Sequence, residues 1–216
     1  MESLSLEDLR QEYGGEALNE ANCETNPFDQ FAKWMIEAQN IETKEPTAMT
    51  LSTATPDGRP SARVVLLKEV TENGFVFYTN YRSRKGREIA ENPHVALTFY
   101  WPELERQVRV EGRIAPISQE KSEAYFRKRP RGSRLGAIVS NQSEVLPSRA
   151  VLEAKLSELQ EKFADTDDIP RPESWGGYSV TPQVIEFWQG RRNRLHDRLV
   201  YETGGPSGWT IKRLSP

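Results

Sequence analysis

The chain has 216 residues, 36% hydrophobic and 28% charged, with a mean hydropathy of −0.71 and a net charge of −3. That is a globular composition of one or two domains; no apolar run nears the roughly 18 residues of a membrane helix, and the acidic opening MESLSLEDLRQEYGG lacks the apolar stretch of a secretory signal. One cysteine, Cys23, excludes an internal disulfide and a multi-cysteine zinc site, the two histidines His94 and His196 give little support to a histidine-built metal centre, and a reducing cytoplasm is the expected compartment.

In chain order, residues 1–26 read as a mobile, polar, acidic arm containing Gly14-Gly15. Pro27 can open a helix over 27–39, in which Phe28, Phe31, Met35 and Ala38 fall on one face. Strand patterns at 47–55 and 61–67 flank Pro56-Asp57-Gly58-Arg59-Pro60, and patterns at 64–70 and 75–79 flank Glu72-Asn73-Gly74, both hairpin signals. Ser83 is a good cap for a helix over 84–92 that Pro93 ends. Strands at 94–101 and 106–114 follow, so about five strands in succession suggest a meander that closes into a barrel. Helical patterns cover 118–129, 133–140 and 148–163, a Pro- and Asp-rich loop spans 164–175, and β pattern returns at 183–190, 194–201 and 208–214. The expected class is mostly β with surrounding helices (α+β), as one domain over 27–216 behind the arm.

Charge is uneven. Residues 1–58 carry 3 basic against 12 acidic side chains, whereas residues 59–134 carry 16 against 9. A basic middle in an acidic chain points to local anion sites, and the missing basic surplus argues against a nucleic-acid backbone as partner. Four segments could hold such sites. At Ser83-Arg84-Lys85, cations in the first helical turn oppose the helix dipole, which makes sense around a bound phosphate. In Arg63-Val64-Val65-Leu66-Leu67-Lys68, strand alternation puts Arg63 and Lys68 on opposite faces. In 125–134, Tyr125 and Arg129 share a helix face and Ser133 can cap the next helix. In 194–198, an extended strand would set Arg194, His196 and Arg198 on one face, with the arginines favouring a neutral imidazole. The residues alone give a β-barrel with two or more phosphate-sized sites and leave the reaction open.

Nine motifs stand in order: RVVLLK (63–68), FYTNYRSRKGRE (77–88), ERQVRVEG (105–112), YFRKRPRGSRLGA (125–137), SNQSEV (140–145), WGGY (175–178), EFWQG (186–190), RLHDR (194–198) and the terminal RLSP. Together they resemble the pyridoxine/pyridoxamine 5′-phosphate oxidase family, from about Arg10 to Pro216. The resemblance implies an FMN-binding split β-barrel that works as a homodimer with FMN at the subunit interface. It implies oxidation of pyridoxine or pyridoxamine 5′-phosphate to pyridoxal 5′-phosphate, with O2 as acceptor and H2O2 as product. It places flavin contacts on Arg63, Val64, Val65, Leu66, Leu67, Lys68, Tyr78, Thr79, Arg84, Lys85, Gln107, Gln142, Ser143, Trp188 and Arg198. Lys68, Tyr125, Arg129 and Ser133 match the substrate-phosphate positions. Arg194 and His196, the expected catalytic pair, match those beside the pyridine ring, and Arg10 and Tyr13 match arm residues that fold over substrate in some members. The basic loop Arg191-Arg192-Asn193 varies in the family. Competing readings are a flavin oxidase acting on another ring, as in phenazine biosynthesis, a non-catalytic flavin- or haem-binding split barrel, and a nucleic-acid module on 125–134.

Overall fold

The computed structural model describes residues 12–41, 44–204 and 208–216. Their contacts group into two compact units: Met1–Met49 with Leu97–Glu111 and Gln183–Pro216, here unit 1, and Thr50–Ala96 with Gly112–Pro182, here unit 2. The elements in chain order are α1 (Pro27–Asn40), β1 (Ala48–Ala54), β2 (Pro60–Leu66), β3 (Glu69–Thr71), β4 (Gly74–Asn80), α2 (Arg84–Glu91), β5 (His94–Trp101), β6 (Arg106–Pro116), α3 (Gln119–Lys128), α4 (Arg131–Val139), α5 (Arg149–Lys162), β7 (Trp175–Gln189), β8 (Asp197–Thr203) and β9 (Trp209–Arg213). Short 3₁₀ turns occupy Pro102–Leu104 and Arg192–Arg194.

The strand order is β2-β1-β5-β6-β7-β4-β3, with β8 on β7 and β9 on β8. The expected local hairpins β1–β2, β3–β4 and β5–β6 all form, but the consecutive meander does not. The intervening α2 frees β5 from its sequence neighbour β4, and β5 pairs with β1 instead.

In unit 1, the Asn26 side chain accepts from the Phe28 N–H and Pro27 takes the first helical position of α1. This helix buries Phe31, Trp34, Met35 and Ala38. Phe31 meets Phe99 at 5.0 Å between ring centroids, and Trp34 stands edge-on to Phe187 at 5.2 Å. Burial of each such ring stabilises by roughly 2–3 kcal/mol. Strands β7, β8 and β9 pair antiparallel through Ile185↔Tyr201 and Tyr201↔Ile211.

In unit 2, β4 runs antiparallel to the first half of β7, from Phe75↔Val180 to Asn80↔Trp175. Beneath it Phe126, Leu135, Ile169 and Trp175 form a cluster, joined by Leu156 and Leu159 of α5. No residue of α5 is fully buried, which fits a solvated helix docked by one stripe.

Strand β7 begins eight residues before the expected 183, because its first half reads as glycine- and proline-broken. Both residue types have a place here. A Cβ on Gly177 would come within 2.8 Å of the Tyr78 ring and 2.4 Å of Ile117, so the close approach demands glycine. Pro182 falls between the part of β7 paired with β4 and the part paired with β8, where a missing N–H breaks neither ladder.

Candidate active site

The first group of functional side chains belongs to unit 2, around the start of α2. Ser83 caps the helix, its Oγ accepting from the Gly86 N–H at 3.3 Å. Lys85 Nζ donates to Gln142 Oε1 at 2.6 Å and to Ser83 Oγ at 3.3 Å. Arg63 on β2 donates to Thr53 Oγ1 at 2.6 Å and to the Leu51 carbonyl at 3.2 Å. One acid organises these cations. Buried Glu88 accepts from Ser61 at 2.6 Å, Arg84 at 2.8 Å and Arg63 at 3.2 Å, and from Thr53 as well. Burial pushes its carboxyl up, but the bonds from Ser61, Thr53 and Arg84 and the charge of Arg63 outweigh that and hold it down to about 2. Burial, then the nearby Arg63, lowers Lys85 to about 8 against the opposing pull of Glu88. The cluster of three cations and one carboxylate therefore carries surplus positive charge. The sequence reading found the cations and missed Glu88, whose signal is its i,i+4 spacing from Arg84.

Alternation on β2 holds over 63–65 and lapses at Leu66, which is half-buried like Val65. Arg63 and Val65 are half-buried and Val64 is exposed, but β2 ends at Leu66. Beyond it Leu67 is buried and Lys68 exposed, with the Lys68 N–H donating to the Val76 carbonyl at 2.8 Å.

Next to this cluster within unit 2 lies a cavity of about 350 Å³ lined by Tyr78, Thr79, Asn80, Arg129, Ser133, Gln142 and Trp175, among others. Tyr78 stacks on Tyr125 at 3.9 Å and on Trp175 at 5.5 Å, nearly parallel to both. Arg129 lies 4.6 Å above the Trp175 ring, and its buried Nη1 has no hydrogen-bond partner. Burial lowers the Arg129 pKa and raises those of Tyr78 and Tyr125, so both phenols stay protonated donors.

Two local expectations change here. Helix α3 stops at Lys128, so Arg129 is its extended C-cap rather than a helical partner of Tyr125, and this turn sets the guanidinium over Trp175. Ser133 is not a cap: α4 starts at Arg131 behind Pro130, and Ser133 lies inside it on the cavity wall. Of the expected phosphate set, Arg129 and Ser133 line the cavity and Tyr125 backs it through Tyr78, whereas Lys68 is not part of the lining. Thr79 Oγ1 reaches Gln142 Oε1 at 3.4 Å, and Ser143 is exposed in a left-handed turn with φ 76°.

The second group belongs to unit 1. Trp188 and His196 lie 4.7 Å apart, and Tyr13 stands edge-on to both, at 5.7 and 5.4 Å. Burial, then Arg194, lowers the His196 pKa, which favours the neutral ring. The Arg191 N–H donates to His196 Nδ1 at 3.0 Å, so the neutral ring carries its proton on Nε2.

The expected shared strand face is corrected here. Arg194 sits in the 3₁₀ turn, exposed and left-handed with φ 60°, His196 follows it before the strand, and only Arg198 lies on β8. The turn Arg192–Arg194 breaks the extension on which the face argument relied. Arg198 is clasped by Glu186 through bonds of 2.9 and 3.0 Å, and Gln107 is half-buried on β6. Arg10 lies outside the described residues.

Residues 35–163 match the family described as pyridoxamine 5′-phosphate oxidase, and residues 175–216 match the pyridoxine 5′-phosphate oxidase C-terminal dimerisation region. A pyridoxine/pyridoxamine 5′-phosphate oxidase of Trichormus variabilis is 56% identical over 98% of this chain and 99% of its own. The protein of that name from Burkholderia multivorans is also 56% identical, with the same coverage. Among solved structures, PhzG from Burkholderia lata, in complex with tetrahydrophenazine-1-carboxylic acid, superposes with a TM-score of 0.87 at 31% identity, covering 94% of this chain and 100% of PhzG. The fold is thus shared across nearly the whole chain. No described helix is long and apolar enough to cross a membrane. With matching regions over both parts of the chain and relatives above 50% identity along its full length, this chain belongs to the pyridoxine/pyridoxamine 5′-phosphate oxidase family, FMN-dependent oxidoreductases.

Proposed function

We propose that the chain oxidises pyridoxine 5′-phosphate and pyridoxamine 5′-phosphate to pyridoxal 5′-phosphate, as a homodimer with FMN at the subunit interface. The observation that carries this reading is Arg129, a half-buried cation on the wall of an aromatic-sided cavity, with its Nη1 atom buried and unpartnered. A buried polar group without a partner costs about 1–3 kcal/mol, and an anionic ligand group relieves it. The residues present fit FMN as well. The cluster of Arg63, Arg84 and Lys85 at the capped start of α2 has surplus positive charge, and burial together with Arg63 lowers the Lys85 pKa. These three would hold the cofactor phosphate, with Thr79 and Gln142 beside them.

FMN, when bound, would supply two-electron redox chemistry between the substrate C4′ carbon and O2, with H2O2 as the product. The chain's own residues bind and orient. Arg129 and Ser133 hold the substrate phosphate, with Lys68 closing from outside the cavity. His196, its Nδ1 occupied by the Arg191 N–H, offers Nε2–H to the oxygen substituent of the ring. Arg194 positions and polarises the ring as a fixed cation. Tyr13, already against His196 and Trp188, covers the substrate and excludes water.

A second reading, oxidation of another ring system, draws on the similarity to PhzG. A substrate without phosphate would leave Arg129 unpartnered, which favours the vitamer. Kinetics with Arg129→Ala separate the two. KM for pyridoxine 5′-phosphate should rise roughly 10- to 100-fold, the worth of a charge-assisted bond, with FMN affinity nearly unchanged. Equal loss of both ligands, or no effect on the vitamer, would show that Arg129 does not hold the substrate phosphate.

A further inference from the structure

The described part of the arm is fastened along unit 1 by several independent bonds. The Gly14 and Gly15 N–H groups both donate to Glu105 Oε2, at 2.7 and 2.8 Å. The Gly15 carbonyl accepts from the Arg191 guanidinium, whose Nε also lies 3.5 Å from Asp197 Oδ2. Asp197 Oδ2 in turn accepts from the Leu18 N–H at 3.1 Å. A Cβ on Gly15 would fall 2.1 Å from Gln189 Nε2 and 3.0 Å from the Gly190 carbonyl, so a larger residue here would have to displace the Gln189 side chain.

Arg191 touches the ring site twice. Its main-chain N–H holds His196 Nδ1, and its side chain holds the Gly15 carbonyl, two residues after Tyr13. Its guanidinium is engaged by Gly15 and Asp197 and is half-buried, whereas the neighbouring Arg192 is exposed. A role in attracting a distant phosphate would suit Arg192 better.

We propose that Arg191, together with Glu105, is a positioning residue for the vitamer ring: the two side chains clamp the Gly14–Gly15 main chain and so hold Tyr13 against the same His196 that the Arg191 N–H orients. The inference rests on the reading of Tyr13 and His196 as substrate contacts. It makes arm docking and histidine orientation depend on one residue, and assigns the basic loop to substrate affinity. Contacts made equally in bound substrate and transition state change KM and leave kcat alone.

The test uses the full-length, FMN-loaded protein and two readouts, amide hydrogen exchange over residues 12–18 and steady-state kinetics with pyridoxine 5′-phosphate. In Arg191→Ala, exchange at 12–18 should accelerate about tenfold and KM rise about five- to tenfold, with kcat within about twofold of wild type and FMN affinity unchanged. Glu105→Gln should move both readouts in the same direction, and Arg191→Lys, which keeps a cationic donor, should restore most of the exchange protection. Unchanged exchange in Arg191→Ala would overturn the clamp. Faster exchange with unchanged KM would overturn its role in substrate binding. Should wild type fail to oxidise the vitamer, the proposed function falls, and the exchange readout alone still decides the clamp.

Discussion

Lys85 and Glu88 show how single residues carry the account. Lys85 is held down to about 8, first by burial and then by Arg63, with Glu88 opposing. A bound phosphate favours its charged form, so FMN affinity should fall as pH rises through about 8, and Lys85→Met should flatten that dependence; fluorescence titration of FMN between pH 7 and 9 reads it. Linkage gives the opposite sign for the unliganded fold. The native state binds fewer protons than the unfolded one between about 8 and 10.5, so its stability should rise with pH there. Cations were legible in the sequence because two of them sit where a helix dipole disfavours them. Glu88, Glu105 and Glu186 were not, because an acid in a charged segment reads as solvated until its partners are known. Arg198, matched to the flavin by resemblance, proves to be clasped by Glu186.

Among the elements, α2 is pinned to two strands by Glu88, which reaches Thr53 on β1 and Ser61 and Arg63 on β2. Its carboxyl falls from an ordinary 4.5 to about 2, so this stabilisation is complete above 4.5 and is lost as pH falls through about 2. Glu88→Gln should destabilise by about 3 kcal/mol at neutral pH, since it removes the buried charge that pairs with half-buried Arg63 and with Arg84, and should shrink the acid-unfolding slope between pH 4.5 and 2. Urea denaturation across that pH range checks both. Helices α1 and α2 were readable because Pro27 and Ser83 punctuate them. The first half of β7 and the start of α4 were not. Gly176, Gly177 and Pro182 look like breakers until the crowding of Gly176 by Tyr81 and of Gly177 by Tyr78, and the place of Pro182 between two ladders, are seen, and Ser133 looks like a cap although Pro130 already turns the chain.

For the whole molecule, the hairpins were legible because each is local, whereas the pairings of β1 with β5 and of β4 with β7 join segments far apart in sequence and leave no turn signal. Dimerisation rests on the family region at 175–216, which contains β7, β8 and β9. Light scattering should give twice the 24.7 kDa chain mass. FMN that binds only the folded dimer stabilises it by mass action, about 2.7 kcal/mol at a hundredfold excess over Kd, so the melting temperature should rise by roughly 5–10 °C. The central claim is that the Arg129 cavity and the α2 cluster serve one vitamer phosphate and one flavin phosphate in a single reaction. The most direct measurement is the visible spectrum of the FMN-loaded protein before and after anaerobic addition of pyridoxine 5′-phosphate. Bleaching of the flavin bands on addition, recovery on admitting air, and stoichiometric pyridoxal 5′-phosphate are the expected result. A flavin spectrum that the vitamer leaves unchanged would contradict it.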